Sequence, residues 1–232
     1  MLIGAILLAA SLSLASGEGA RVAARLLGAA LVLDFVIVHI PRMADAPGSS
    51  GVRGLAFETL SVAAIAFVLA PMAASPRSAA APRDRFPGLG ATVGRYLFAV
   101  SLVVFAFFHF MLIPLVASLI PAWIPGRVFL AYFTGAGFIA AALAIATGKL
   151  ARLAGILLGA MFLIFVVTLH VPRVAHAIGS ADEWTSLLVA VAMAGGGFIV
   201  AGLFSEASSP SGYLAKSPPL TTGGRKPMIH PT

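Results

Sequence analysis

The sequence predicts an all-α integral membrane protein, with about seven transmembrane helices arranged as two tandem parallel helical bundles, three helices in the first and four in the second. Three observations carry that expectation. Of the 232 residues, 60% are hydrophobic and 10% charged, with a mean hydropathy of +1.03, whereas soluble domains carry roughly 25% charged residues. The apolar residues fall into runs of the length a hydrocarbon core requires, about 20 residues per helix, which leaves no room for a soluble catalytic domain. The third is an internal repeat: His39-Ile40-Pro41-Arg42 returns as His170-Val171-Pro172-Arg173, and residues 1–43 align on 132–174 without a gap at a constant offset of 131. Gly4/Gly135, Gly17/Gly148, Arg21/Arg152, Gly28/Gly159, His39/His170, Pro41/Pro172 and Arg42/Arg173 are identical pairs. Alanine and leucine match by chance in apolar sequence, but arginine, glycine, histidine and proline in register do not.

Residues 1–16 read as a first span. They lack the basic start of a secretory signal and repeat an interior segment, 132–147, so retention is expected. The second span runs from about Arg21 to Ile40, where Pro41 is expected to help end the helix. A polar loop from Arg42 to Arg53 leads to a third span, about Gly54 to Met72, with Glu58 roughly one turn inside. These three form the first membrane repeat, residues 1–72. Residues 73–92, rich in Pro, Ala and Arg, read as a cytoplasmic linker. The second repeat, 93–205, opens with a span starting near Val93 that carries Phe105, Phe107, Phe108, His109 and Phe110. It meets Pro114, whose missing N–H frees the carbonyl of Phe110. Pro121, Trp123 and Pro125 suggest an interfacial turn. Spans five, six and seven follow at about Val128–Thr147, Arg152–Val171 and Trp184–Phe204, and the tail, 206–232, is polar enough to stay disordered. The first repeat begins with the partner of the fifth span, so a counterpart of the fourth is absent before Met1. A lipid face, a homo- or hetero-oligomeric subunit or a further segment is expected to cover that flank.

Charge sets the orientation. One set of loops holds Arg21, Arg25, Arg77, Arg83, Arg85, Arg95, Lys149, Arg152, Lys216, Arg225 and Lys226, and the other only Arg42, Arg53, Arg127 and Arg173. The positive-inside rule then places the C-terminus in the cytoplasm and the N-terminus outside. Copies four spans apart share an orientation, so the repeats are parallel. The net charge of +7 is explained by these loops, and without a basic patch interleaved with aromatics no nucleic acid is expected as a partner. The absence of cysteine removes disulfides, thiolate metal sites and iron–sulfur clusters. No Ser-His-Asp spacing, His-Glu-x-x-His, P-loop or dinucleotide fingerprint is present.

Any chemistry therefore sits in the bilayer. At 1.5 Å per residue, His39 and His170 lie about 25 Å from the cytoplasmic starts of their helices, His109 somewhat less. With Arg42, Arg173, His176, Glu58, Asp182 and Glu183 they form an outer polar layer. Asp34 lies deeper and, like Glu58, is a candidate buried charge. It either marks a pathway or paired site, with an Arg or His as partner, or stays protonated and hydrogen-bonded in the bundle. His39, Arg42, His109, His170 and Arg173 are the candidates for binding a quinone or a similar amphipathic ligand. The alternatives are helix-end histidines satisfying local carbonyls and snorkelling arginines. Haem and metal centres are not expected. Gly135, Gly137 and Gly195-Gly196-Gly197 read as close helix contacts.

The order Arg95, His109-Phe110, Pro121-Ala122-Trp123-Ile124-Pro125-Gly126, Phe133-Thr134-Gly135 and Leu169-His170-Val171-Pro172-Arg173 resembles DoxX-like membrane proteins over about residues 93–205, and more weakly over 1–72. The resemblance implies four-helix bundles of the bacterial inner membrane. Some relatives are membrane subunits of thiosulfate:quinone oxidoreductase, which implies a quinone-interacting subunit working with a redox partner subunit. The alternative is a non-catalytic assembly subunit or a small-solute transporter.

Overall fold

A computed structural model of the chain describes residues 10–73 and 88–206. Residues 10–16 form α1. The start of the first expected span, residues 74–87 of the linker and residues 207–232 of the tail lie outside the described residues. Among the described residues six helices are long and apolar enough to cross a membrane, and no strand occurs.

The first of the six is a rod of 26 residues, Ala20–Asp45. It consists of α2 (Ala20–Asp34), a π-helical turn π1 (Phe35–His39) and α3 (Ile40–Asp45). Pro41 does not end this helix, contrary to expectation. A proline inside an α-helix lacks a donor and collides with the carbonyl four residues back. Here the Ile40 N–H reaches back five residues to the Phe35 carbonyl, which widens the helix just ahead of Pro41. Pro41 then falls in the first turn of a renewed α-segment, where no N–H is needed. At about 39 Å, the rod is longer than the roughly 30 Å hydrocarbon core.

The second span, α4 (Ser50–Leu69), begins four residues before the expected Gly54 because the Val52 N–H donates to Ser49 Oγ at 3.3 Å, an N-cap. Glu58 thus lies two turns inside rather than one. The next helix, α5 (Leu89–Met111), also starts earlier than Val93 and breaks at Leu112 before the short α6 (Ile113–Leu119), with Pro114 in its first turn. Residues 120–126 form the expected turn, with Trp123 75% exposed. Then come α7 (Arg127–Thr147), α8 (Ala151–Phe165), π2 (Val166–His170), α9 (Val171–His176) and α10 (Ala181–Glu206).

Backbone details recur at the sequence offset of 131. Gly17 and Gly148 both have φ of 76°, and Gly19 and Leu150, with φ of 65° and 57°, both precede their helices in the left-handed region. Glycine adopts that conformation freely and leucine at a cost, so Leu150 is a strained copy of Gly19. The two π turns coincide, since Val171 N–H donates to the Val166 carbonyl as Ile40 does to Phe35. The correspondence runs past the sequence match. Ala46 and Ala177 donate to Arg42 and Arg173 carbonyls at 3.0 Å, and Ser180 Oγ accepts from Glu183 N–H at 3.4 Å as Ser49 does from Val52. The Arg53 Nη1 donates to the Pro47 carbonyl, and the Trp184 Nε1 to Ile178.

Among the described residues α2 packs along α4, α4 along α5 and α10, α5 along α7, α7 along α8, and α8 along α10. The helices α4, α5, α7, α8 and α10 thereby close around one core that holds Val68, Phe98, Leu102, Phe138, Ile145, Met193 and Val200. Helix α4, which falls in residues 1–72, shares this one core with the helices of residues 93–205, and α2 with its π turn lies outside that ring. The closest seam is α8 on α10. A Cβ on Gly155 would stand 2.6 Å from the Gly197 carbonyl oxygen, and one on Gly197 would stand 2.5 Å from Gly159 N. Gly135 also meets close neighbours, the side chains of His109 and Phe110. Gly137 and Gly195 do not, since nothing stands within 4 Å of their Cβ positions.

Candidate functional site

The π turn decides where the first polar cluster forms. Five residues are about 1.4 turns of an α-helix, which would point Asp34 and His39 about 140° apart. Winding Phe35–His39 with five-residue hydrogen bonds stacks His39 nearly over Asp34 instead. His39 Nε2 then sits 3.3 Å from Asp34 Oδ2 and 3.2 Å from Thr59 Oγ1 of α4. The ring is 5% exposed and packs near Phe35, while the Asp34 side chain is 45% exposed on the bundle surface.

The hydrogen bonds fix the proton on this ring. Thr59 has one hydroxyl hydrogen, which it donates to the Leu55 carbonyl at 3.0 Å. Its oxygen can therefore only accept from His39, and an Asp34 carboxylate is an acceptor too. Nε2 carries the hydrogen. The other nitrogen, Nδ1, is buried and has no hydrogen-bond partner, so a neutral His39 directs a bare lone pair into the protein, and a protonated one an unpaired N–H. Unpaired buried nitrogens are costly and call for an explanation.

His170 occupies the same place in π2, and its Nδ1 is likewise buried without a partner. Its surroundings differ. The positions of Asp34 and Thr59 are taken by Phe165 and Ala190, so nothing holds its Nε2 in the same way. The charged pair here is one turn further on, where Arg173 Nε and Nη2 donate to Glu183 Oε2 and Oε1 at 2.9 and 2.8 Å. This two-point pairing is the strong geometry for arginine and carboxylate. Arg42, the counterpart of Arg173, is exposed and makes no ion pair among the described residues.

His109 belongs to neither cluster. Its Nδ1–H donates to the Phe105 carbonyl at 2.8 Å, and its ring meets the Phe138 ring edge-on at 5.1 Å. Gly135 of α7 makes room for it. Glu58 is half-buried, next to Thr59, with no partner among the described residues.

The candidate residues thus divide among three helix pairings rather than one pocket: Asp34 and His39 on α4, Arg173 beside His170 on α10, and His109 on α7. The sequence pairs Asp34 with an Arg or His, and the structure selects His39. Two partners were not legible. Thr59 reaches His39 from another helix, and Glu183 reaches Arg173 across the α9–α10 turn, although its place in the outer layer was.

These features define the class: an α-helical, membrane-embedded protein with, among the described residues, one histidine–carboxylate dyad at a π turn. No family model, no curated protein and no solved structure matches the chain.

Proposed function

We propose that this is a DoxX-like polytopic protein of the bacterial inner membrane, built from two parallel copies of one helical module, with the N-terminus outside and the C-terminus cytoplasmic. In this reading it is the quinone-interacting subunit of a redox system, and His39 exchanges a proton with the quinone oxygen. The observation that carries it is the state of His39: Nε2 held by Asp34 and Thr59, Nδ1 buried and unpaired. The recurring backbone of the two copies supports the parallel arrangement.

A quinone supplies the two-electron acceptor, its electrons coming from a redox partner subunit and its two protons from His39 and from the aqueous surface. His39, when protonated, holds its second proton at Nδ1, and Asp34 stabilises the imidazolium through Nε2. Because Nδ1 is buried, a quinone oxygen would reach it only as the packing around His39 opens; there His39 would give up its Nδ1 proton to the oxygen as negative charge develops on it, and would be left neutral with its hydrogen on Nε2. Asp34 then returns to being a hydrogen-bond acceptor. The partial exposure of Asp34 on the bundle surface suits a ligand arriving laterally through lipid.

The test is quinone extraction and difference absorption on protein purified in mild detergent. Wild type and His170→Ala are expected to carry a stoichiometric quinone, and His39→Ala to lose it. Empty wild-type protein with intact folding would refute the reading and leave the assembly-subunit or transporter alternative. That alternative is favoured by the closed Arg173–Glu183 pair and the packed ring of His109, which assign packing roles to residues of the outer layer.

A further inference from the structure

The two copies disagree about what neutralises their conserved-position arginine. In the second, Glu183 clasps Arg173 through two hydrogen bonds. In the first, the residue at the position of Glu183 is Val52, as the sequence offset and the matching Ser49 and Ser180 caps both establish. The next position, Trp184 in the second copy, is Arg53. A carboxylate between two backbone-equivalent elements has therefore been replaced by an apolar side chain flanked by a further cation. Arg42 is exposed and without an ion pair, while Arg53 is tied by Nη1 to the Pro47 carbonyl and keeps a buried Nε with no partner. Asp45, exposed at the end of the same short helix α3, makes no ion pair with either.

We infer that Arg42 and Arg53 form a binding site for a phosphate group, supplied by an anionic lipid headgroup or by free phosphate, at the place where the second copy holds the Glu183 carboxylate. The chemistry favours phosphate because it offers several acceptor oxygens to guanidinium donors that the protein itself leaves unused. The position favours it as well, since Arg42 lies near the end of a 26-residue rod that is longer than the hydrocarbon core is thick. This assignment stands whether or not His39 handles a quinone.

Native mass spectrometry of the full chain in detergent, titrated with phosphatidylglycerol, phosphatidylcholine or inorganic phosphate, tests it. Wild type is expected to retain one phosphatidylglycerol in preference to phosphatidylcholine. Arg42→Ala should weaken it about fivefold, the loss of one arginine near a membrane surface. Val52→Glu should abolish binding by rebuilding the internal pair with Arg42. Competition by inorganic phosphate identifies free phosphate as the source, and resistance to it identifies the headgroup. If Val52→Glu does not fold, Arg42→Ala, a surface change, carries the comparison. Equal retention of both lipids by wild type and Arg42→Ala would overturn the inference.

Discussion

Replacing Gly197 by alanine puts a methyl group where the structure has none to spare. The added Cβ would stand 2.5 Å from Gly159 N and 2.7 Å from the Gly155 carbonyl oxygen. Ordinary contact begins near 3.4 Å, so α8 and α10 must part by about 0.9 Å, and both obstacles are backbone. A gap of 0.5–1 Å forfeits about a quarter to a half of the dispersion attraction along the seam. The overpacking cost is about 1–3 kcal/mol. Gly195→Ala, two residues earlier on α10, meets nothing within 4 Å and gains only helix propensity, about 0.5–1 kcal/mol. That gain is common to both variants, so the difference between them isolates the seam: Gly197→Ala should be less stable than Gly195→Ala by about 1–3 kcal/mol. Reversible unfolding in mixed micelles with increasing denaturing detergent reads it. Equal stabilities would show that the two helices do not approach at Gly155, Gly159 and Gly197.

Two further outcomes follow from the same comparisons. Glu183→Gln should lower the melting temperature in detergent because it removes the charge that Arg173 grips through two donors, whereas Arg42→Ala should leave it unchanged. Identical melting of the two variants would refute the non-equivalence of the copies. Ser49→Ala removes the acceptor for Val52 N–H and should cost about 1 kcal/mol, with Ser49→Asp, which also caps, restoring it.

The helices were legible because lipid forces every span to be apolar and long, and hydropathy records both properties. The ends were less so. Pro41 and Pro172 read as stops on local rules, and they do sit at a discontinuity, but the backbone absorbs them by widening into a π turn, which leaves no compositional mark. The repeat of His-x-Pro-Arg located both turns without revealing what they do. The partners of the outer layer depended on helix packing: Asp34 and His39 meet only because the π turn rotates one over the other, and Thr59 comes from α4. Glycine was legible in kind but not in position, since Gly195 and Gly197 look alike in sequence and differ in whether another backbone lies against them.

Matching backbone hydrogen bonds do not make the two π turns equivalent, because the charged groups around them differ. In each copy one carboxylate is ion-paired, at a different level. Asp34 in the first sits against the histidine, and Glu183 in the second sits against the arginine. A carboxylate on histidine holds Nε2 and leaves the other ring nitrogen, Nδ1, without a partner. A carboxylate on arginine makes a two-point pair with a guanidinium that stays charged. In the proposed reading the first arrangement exchanges protons, whereas the second fastens α9 to α10. On that reading, Phe165→Asp with Ala190→Thr should let His170 retain a quinone in a His39→Ala background and Phe165→Asp alone should not, as quinone extraction reads, because Thr59 is the second group that fixes Nε2 in the first copy.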